Sequence, residues 1–346
     1  MPKFIVYTDL QAAEGHEHCF SQPELPLQRW RVDKFIADVD QLCRKYGVDH
    51  LIDLGDTSDD RTSLQIPTIA QIAKLGSDSR GFIKLIGNHE QYRRDQKIHT
   101  GDLYGLWNVV STRQTFEVGG CKIIATAYTE DLTELNDWLL KELLRSPKDM
   151  PIVILGHWDV AGAKTSNGMQ LSGIPITTLN KAQLTLLGHI HKPQKLGEAA
   201  YYVGSPFQQD YGEAGEQKRV GVLTLEDGTI TFNWHYLMDR GYPEYRRVTF
   251  KEYAKQAPAQ EDRYTVLLEN PEEAAQFAAL PWKGQATPQL GYGETMALQT
   301  RTAVSKLILT PKELLTTYLN RRKLHLQDIM SEEDLVTAGL ELYEAT

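Results

Sequence analysis

The stretch GFIKLIGNHE, residues 81–90, is an apolar run that ends on a glycine and then presents Asn88, His89 and Glu90 in succession. An apolar run of this length, closed by a polar turn, predicts a buried strand. The residues at its end can ligate a divalent cation or exchange a proton. The same order recurs elsewhere. KFIVYTDLQ (3–11) ends on Asp9 and Gln11, DHLIDLGD (49–56) on Gly55-Asp56, MPIVILGHWD (150–159) on Gly156-His157, and QLTLLGHIH (183–191) on Gly188-His189-Ile190-His191.

Between the first three runs lie helical segments. LQRWRVDKFIADVDQLCRKYGV (27–48) repeats Val32, Phe35, Ile36, Val39, Leu42, Cys43 and Tyr46 at helical spacing, and IPTIAQIAKLG (66–76) is a shorter helix. The β-α-β-α-β order predicts an α/β fold with a mostly parallel sheet. In such a sheet the strand ends converge on one edge, so the five polar clusters can meet although they are far apart in sequence. Taken singly, each has a plain explanation: an Asp after a strand caps a helix, a Gly-Asp turns the chain, a lone His is a hydrogen-bonded core residue. Five such clusters at five strand ends favour one shared site.

Further along, CKIIATAYTED (121–131) reads as a strand and LTELNDWLLKELLRS (132–146) as a helix. From Ala199 the texture changes to alternating strands, with a hairpin turn expected at Glu226-Asp227-Gly228. These predict a second sheet rich in antiparallel pairs that completes a first domain, residues 1–240. The charged, Gly- and Pro-containing segment 238–263 marks a boundary. A small strand-helix-strand unit follows (243–305), built from YTVLLENPEEAAQFAAL and ETMALQTRTAVSKLIL. The last part, 306–346, carries two amphipathic helices that begin at Thr310-Pro311-Lys312-Glu313 and Ser331-Glu332-Glu333-Asp334. They are too short to form a core of their own.

The 346 residues are 41% hydrophobic, the composition of a globular protein. No apolar stretch reaches the roughly 20 residues of a membrane helix, and MPKFIVYTD lacks the pattern of a signal peptide, so a cytoplasmic protein is expected. Cys19, Cys43 and Cys121 are widely separated and odd in number, which suggests buried thiols and no disulfide framework. A net charge of −9 argues against gripping nucleic acid through bulk charge, so a polyanionic substrate must be held by local patches or by metal ions. Asp, His and an Asn carbonyl suit Mn²⁺, Fe²⁺ or Zn²⁺, and the donors suffice for two ions bridged by a carboxylate.

In order and spacing, Asp9, Gly55-Asp56, Gly87-Asn88-His89-Glu90, Gly156-His157 and Gly188-His189-Ile190-His191 resemble the calcineurin-like metallophosphoesterases. The stretch YYVGSPFQQDYGEAGEQKRVGVLTLE (201–226) is similar to the "GSP…GE…KG" segment of SbcD-like nucleases. The resemblance implies a four-layer α/β/β/α sandwich with a small α+β cap domain (243–305) and C-terminal helices (306–346). It implies two divalent ions, Mn²⁺ first and Mg²⁺ second. Asp9, Gln11, Asp56 and His191 would surround one; Asp56, Asn88, His157 and His189 the other. A hydroxide held between them would attack the phosphorus of a phosphodiester, and His89 would assist the leaving oxygen. Glu90 would orient a ligand from behind, as would Asp59, which turn chemistry explains nearly as well. Arg93 and Arg94 could clamp substrate phosphates or simply be solvated.

Gln11 stands where the family pattern, Asp-x-His, has histidine. Three readings are open: Gln11 ligates through its amide oxygen, His16 or His18 folds into the position, or this ion and much of the activity are lost. The first agrees best with the presence of every other ligand. The resemblance further implies a DNA nuclease, exonucleolytic on duplex ends and endonucleolytic on single strands, in a DNA repair and recombination complex of a bacterial cell or a phage. Its partners would be DNA, a second copy of the chain, and an SbcC-like ABC ATPase whose coiled coil receives the C-terminal helices. The rival readings are a phosphatase on a non-DNA substrate and a weakly active scaffold for the ATPase.

Overall fold

The computed structural model describes residues 1–15, 17–92, 98–105, 107–255, 257, 261–281 and 286–290. Two six-stranded sheets form its centre. The first contains β1 (Lys3–Tyr7), β2 (His50–Asp53), β3 (Gly81–Leu85), β4 (Asn108–Val110), β11 (Arg219–Glu226) and β12 (Thr229–Tyr236), in the order β12-β11-β1-β2-β3-β4. The second contains β5 (Arg113–Val118), β6 (Cys121–Thr126), β7 (Ile152–His157), β8 (Leu184–Gly188), β9 (Gln194–Lys195) and β10 (Ala200–Tyr202), in the order β5-β6-β7-β8-β10-β9. β1 to β4 run parallel, as do β6, β7, β8 and β10.

The sheets stack on a shared apolar layer. Phe4, Val6, Ile52, Leu54, Ile83 and Leu85 from the first meet Ile123, Ala125, Val153, Leu155, Leu184 and Leu186 from the second. The outer face of the first sheet packs on α1 (Leu27–Tyr46) and α2 (Ile66–Gly76), through Val32, Phe35, Val39, Leu42, Ile72 and Leu75. The outer face of the second is covered by α3 (Leu132–Arg145) and α4 (Ile176–Leu179), through Leu135, Leu139 and Leu179. This is the expected four-layer α/β/β/α sandwich.

Local chemistry sets the helix ends. Asp131 caps α3 by accepting the Glu134 N–H at 2.9 Å. α1 stops at Gly47, whose φ of 58° is open to glycine at little cost. Asp227 and Gly228 turn between β11 and β12 with φ of 48° and 79°, the two-residue hairpin expected there. The three cysteines are free and buried.

One expectation needs correcting. The strands after Ala199 do not form a separate antiparallel sheet. β10 joins the second sheet parallel to β8, while β11 crosses back to pair antiparallel with β1 of the first. Alternating burial predicts a strand but not its neighbour, and the central sheets offered two open edges.

By packing, the described residues divide into two compact units: one within 1–266 and 279–287, the other within 267–278 and 288–290. β13 (Tyr245–Thr249), β14 (Arg263–Leu268) and β15 (Ala286–Leu290) make a third sheet in that order. α5 (Phe250–Tyr253) starts on a reciprocal cap between Thr249 and Glu252. α6 (Pro271–Ala279) follows β14, as its sequence pattern predicts. β15 escaped that reading because Pro288 interrupts it, which an edge strand tolerates. ETMALQTRTAVSKLIL and both C-terminal amphipathic helices lie outside the described residues, as do Arg93, Arg94 and His16.

Candidate metal centre

The polar strand ends come together at one edge of the sandwich. Asp9, Gln11, Asp56, Asn88 and His89 follow β1, β2 and β3 of the first sheet, whereas His157, His189 and His191 come from β7 and β8 of the second. Asp9, Gln11, Asp56 and His189 all adopt positive φ, 53°, 52°, 52° and 89°. The backbone there is fixed by bonds between loops: Asp9 N–H donates to Gly55 O at 2.9 Å and Gln11 N–H to Asp56 O at 3.0 Å. Two glycines make room. A Cβ on Gly87 would lie 2.1 Å from Asp56 Oδ1, and one on Gly55 would lie 2.5 Å from His157 Nδ1.

Asp56 is at the centre. Its Oδ1 accepts the His89 N–H at 2.9 Å, and its Oδ2 lies 3.2 Å from His157 Nε2 and 3.4 Å from Gln11 Nε2. Asn88 Oδ1 lies 2.8 Å from His189 Nδ1 and 3.3 Å from His157 Nε2. Donor atoms of Asp56, His157 and His189 fall within 4.8 Å of one another. Asp9 accepts the His189 N–H at 3.2 Å on both carboxylate oxygens.

Neighbouring groups choose the tautomers. His157 Nδ1 donates to Leu54 O at 2.7 Å, which leaves Nε2 as the atom facing Asp56 and Asn88. His191 Nδ1 donates to Glu213 Oε1 at 2.8 Å, which leaves Nε2 free to ligate. His189 Nε2 is 3.2 Å from Asp159 Oδ1. Glu213 is itself buried and held by Lys218 Nζ at 2.7 Å and the Gln209 N–H at 3.0 Å. Neither Asp159 nor Glu213 stands out in the sequence. Asp159 sits two residues after the Gly-His of GHWD, and Glu213 lies within the GSP…GE segment; only the fold shows that each meets a histidine.

Glu90 lies behind the candidate ligands, buried, and accepts the N–H groups of Asp56, Thr57 and Gly87 at 3.2, 3.0 and 2.9 Å. Lys84 Nζ sits 2.5 Å from Glu90 and 3.2 Å from Asp53, so the loop that carries Asp56 rests on a paired charge. His89 Nδ1 lies 2.5 Å from the backbone carbonyl of Asp59; the Asp59 carboxylate is 3.6 Å away and half exposed. Asp59 thus holds the imidazole ring chiefly through its main chain. His18 is exposed, its backbone bridged to Pro26 and its carbonyl accepting from Arg263 at 2.5 Å. Gln11 is buried beside Asp56, its Nε2 3.4 Å from Asp56 Oδ2.

Charge balance tests whether cations fit. Burial raises the pKa of Asp9 against the pull of His157 and His191. Burial also opposes the charge of Asp56, but attraction to His157 outweighs it and holds the carboxyl well below its usual range. Burial alone would depress His157 and His191; the carboxylates of Asp56 and Asp9 push His157 up to about 9, and Glu213 with Asp9 pushes His191 up to about 9. Glu213 is pulled against its burial down to about 2 by His191 and Lys218. The buried carboxylates of Asp9 and Asp56 therefore demand positive charge, which among the described residues comes from protonated histidines when no ion is bound. Divalent cations would supply it while leaving imidazole neutral, and the N/O donor set suits them.

Comparison with known proteins agrees. Residues 2–193 match the model of the calcineurin-like phosphoesterase family. Over 95 residues the chain is 32% identical to the SbcD subunit of the SbcCD nuclease of Escherichia coli K12, a match covering 25% of this chain and 24% of that protein. The chain thus aligns with about a quarter of that relative's length. Among solved structures, a dimetal phosphatase from Danio rerio aligns at 12% identity over 67% of this chain and 95% of that one, with a TM-score of 0.44. The calcineurin-like phosphoesterase YfkN from Bacillus subtilis aligns at 14% identity over 69% and 91%, with a TM-score of 0.37. By the family match over more than half its length, the chain belongs to the calcineurin-like phosphoesterases.

Proposed function

We propose that this phosphoester hydrolase is a DNA nuclease, the nuclease subunit of an SbcCD-like repair and recombination complex. The observation that carries this reading is the 32% identity to the SbcD subunit of the SbcCD nuclease. Asp9, Gln11, Asp56 and His191 are assigned to one ion and Asp56, Asn88, His157 and His189 to the other, with Mn²⁺ the leading candidate. The pair, when bound, supplies Lewis acidity and an activated water.

The chain's own residues do the rest. Glu213 and Asp159 orient His191 and His189, and Glu90 holds the Asp56 loop. His89 is placed beside the shared carboxylate by its own N–H. With Nδ1 committed to the Asp59 carbonyl, Nε2 is the atom left to pass a proton to the departing sugar oxygen. Residues 243–305 are assigned to a cap that orients a DNA end. Residues 306–346 are assigned to the coiled-coil base of an SbcC-like ATPase, within an assembly built on a homodimer. No helix among the described residues is long and apolar enough to cross a membrane.

Labelled duplex and single-stranded DNA, incubated with the protein and Mn²⁺ with and without the ATPase, test this. Degradation of DNA more efficiently than of p-nitrophenyl phosphate supports the nuclease; the reverse ranking makes it a phosphatase. Inertness toward both, even with the ATPase present, makes it a scaffold.

A further inference from the structure

A cavity of about 420 Å³ adjoins the metal centre, and its lining includes Gln11, His191, Gln28, Arg31, Gln209 and Tyr245. Arg31 is the feature in it that nothing above employs. It lies on α1 and is only 2% exposed, yet its Nε and Nη2 have no hydrogen-bond partner among the described residues. A buried guanidinium normally has its donors satisfied, because leaving them unpaired is costly. Aromatic rings flank it, with Cζ 5.1 Å from the ring centre of Tyr245 and 6.0 Å from that of Phe207, and the Tyr245 hydroxyl also interacts with the guanidinium. Its third nitrogen, Nη1, reaches Gln28 Oε1 at 3.5 Å.

Gln28 ties this arginine to the metal centre. Its Nε2 donates to Gln11 O at 2.8 Å, Leu10 O at 3.0 Å and Gln209 Oε1 at 2.9 Å, and Gln209 donates to Asp9 O at 3.2 Å. The acidic groups on the cavity wall are otherwise engaged or outward: Glu17 accepts the Tyr245 hydroxyl at 2.6 Å, Asp210 accepts the Gly212 N–H at 2.6 Å, and Asp59 is exposed. The first turn of α1, also in the wall, carries no acidic residue and no side-chain cap. Its positive end is thus met by no side chain of the turn, although the Leu27 N–H donates to Glu17 O at 2.8 Å.

The geometry points to a second phosphate subsite: Arg31, whose Nε and Nη2 are unpaired and covered in this structure, turns its fork into the cavity to receive the oxygens of the phosphate next to the one being cleaved. Two adjacent guanidinium nitrogens match two phosphate oxygens as a fork. The inference rests on the nucleic-acid reading of the site, in which the phosphodiester being cleaved has another one sugar away along the strand. It makes Arg31 a determinant of specificity, separating strands from isolated phosphodiesters.

The test uses the full chain and Arg31→Met, which keeps the stem length without the charge. With Mn²⁺, KM for a short oligonucleotide rises about tenfold or more in the variant, while kcat/KM for bis(p-nitrophenyl) phosphate, which has no second phosphate, stays within about twofold. Arg31→Lys, with charge but no fork, falls between the two. In chelator, with no metal present, millimolar inorganic phosphate raises the melting temperature of the wild type and not of Arg31→Met. An unchanged oligonucleotide KM in Arg31→Met, or no phosphate-dependent shift in the metal-free wild type, overturns the subsite. The wild-type measurement stands even if the variants do not fold. A wild type that hydrolyses bis(p-nitrophenyl) phosphate but no nucleic acid sinks the nuclease reading instead, and the difference in metal-free phosphate shift between wild type and Arg31→Met still decides whether Arg31 holds an anion.

Discussion

Lys84 and Glu90 form an ion pair 2.5 Å long in which neither side chain touches solvent, and Glu90 uses its remaining acceptor capacity to hold the loop that carries Asp56. Removing one member of such a pair strands its partner. Lys84→Met leaves both Asp53 and Glu90 as uncompensated buried carboxylates, a loss of about 3–5 kcal/mol. Chemical denaturation followed by circular dichroism should show a lower midpoint with an unchanged slope.

Glu213→Gln keeps the size of the side chain and removes the charge that orients His191. Groups that act on a metal through its ligand are typically worth 10–100-fold in affinity. Calorimetric titration of the metal-free protein with Mn²⁺ should give a weakening in that range. An affinity equal to wild type would show that His191 needs no such support.

His89 and Asp59 separate a side-chain role from a main-chain one. His89→Ala should lower kcat by about 10²–10⁴-fold with the bound metal content unchanged. Asp59→Ala retains the carbonyl that accepts from His89 Nδ1 and removes only a half-exposed carboxylate, so its rate should remain within about fivefold of wild type. Steady-state kinetics with metal analysis on the same samples checks both.

Gln11→His should lower the Mn²⁺ concentration for half-maximal activity and Gln11→Ala should raise it, each by about tenfold. Histidine is among the residues that tolerate the left-handed backbone found at this position. If neither variant shifts the metal dependence, Gln11 is a bystander to the ion.

The strands that carry the site were legible because each is a short apolar run ending in a ligand type, four of the five through a glycine, a pattern that depends on local sequence alone. Partners across the fold were not. Glu213 is 22 residues from His191 and Asp159 is 30 from His189, and both look like ordinary surface acids until the sheets stack. Arg31 is the sharper case. On the helical pattern of α1 it occupies no apolar position, yet it is nearly as buried as Val32 beside it. The return of β11 to the first sheet was equally hidden, since strand pairing is settled by which edge is open.

The two sheets contribute separate halves of the candidate metal centre: Asp9, Gln11, Asp56 and Asn88 follow strands of one, His157, His189 and His191 come from the other. A cation pair spanning them would staple the sandwich at its polar rim, where the apolar layer between the sheets gives out. Chelation should therefore let the sheets breathe at that rim alone. Amide hydrogen exchange would speed up in the loops after β1, β2, β7 and β8, while the helices on the outer faces keep their protection.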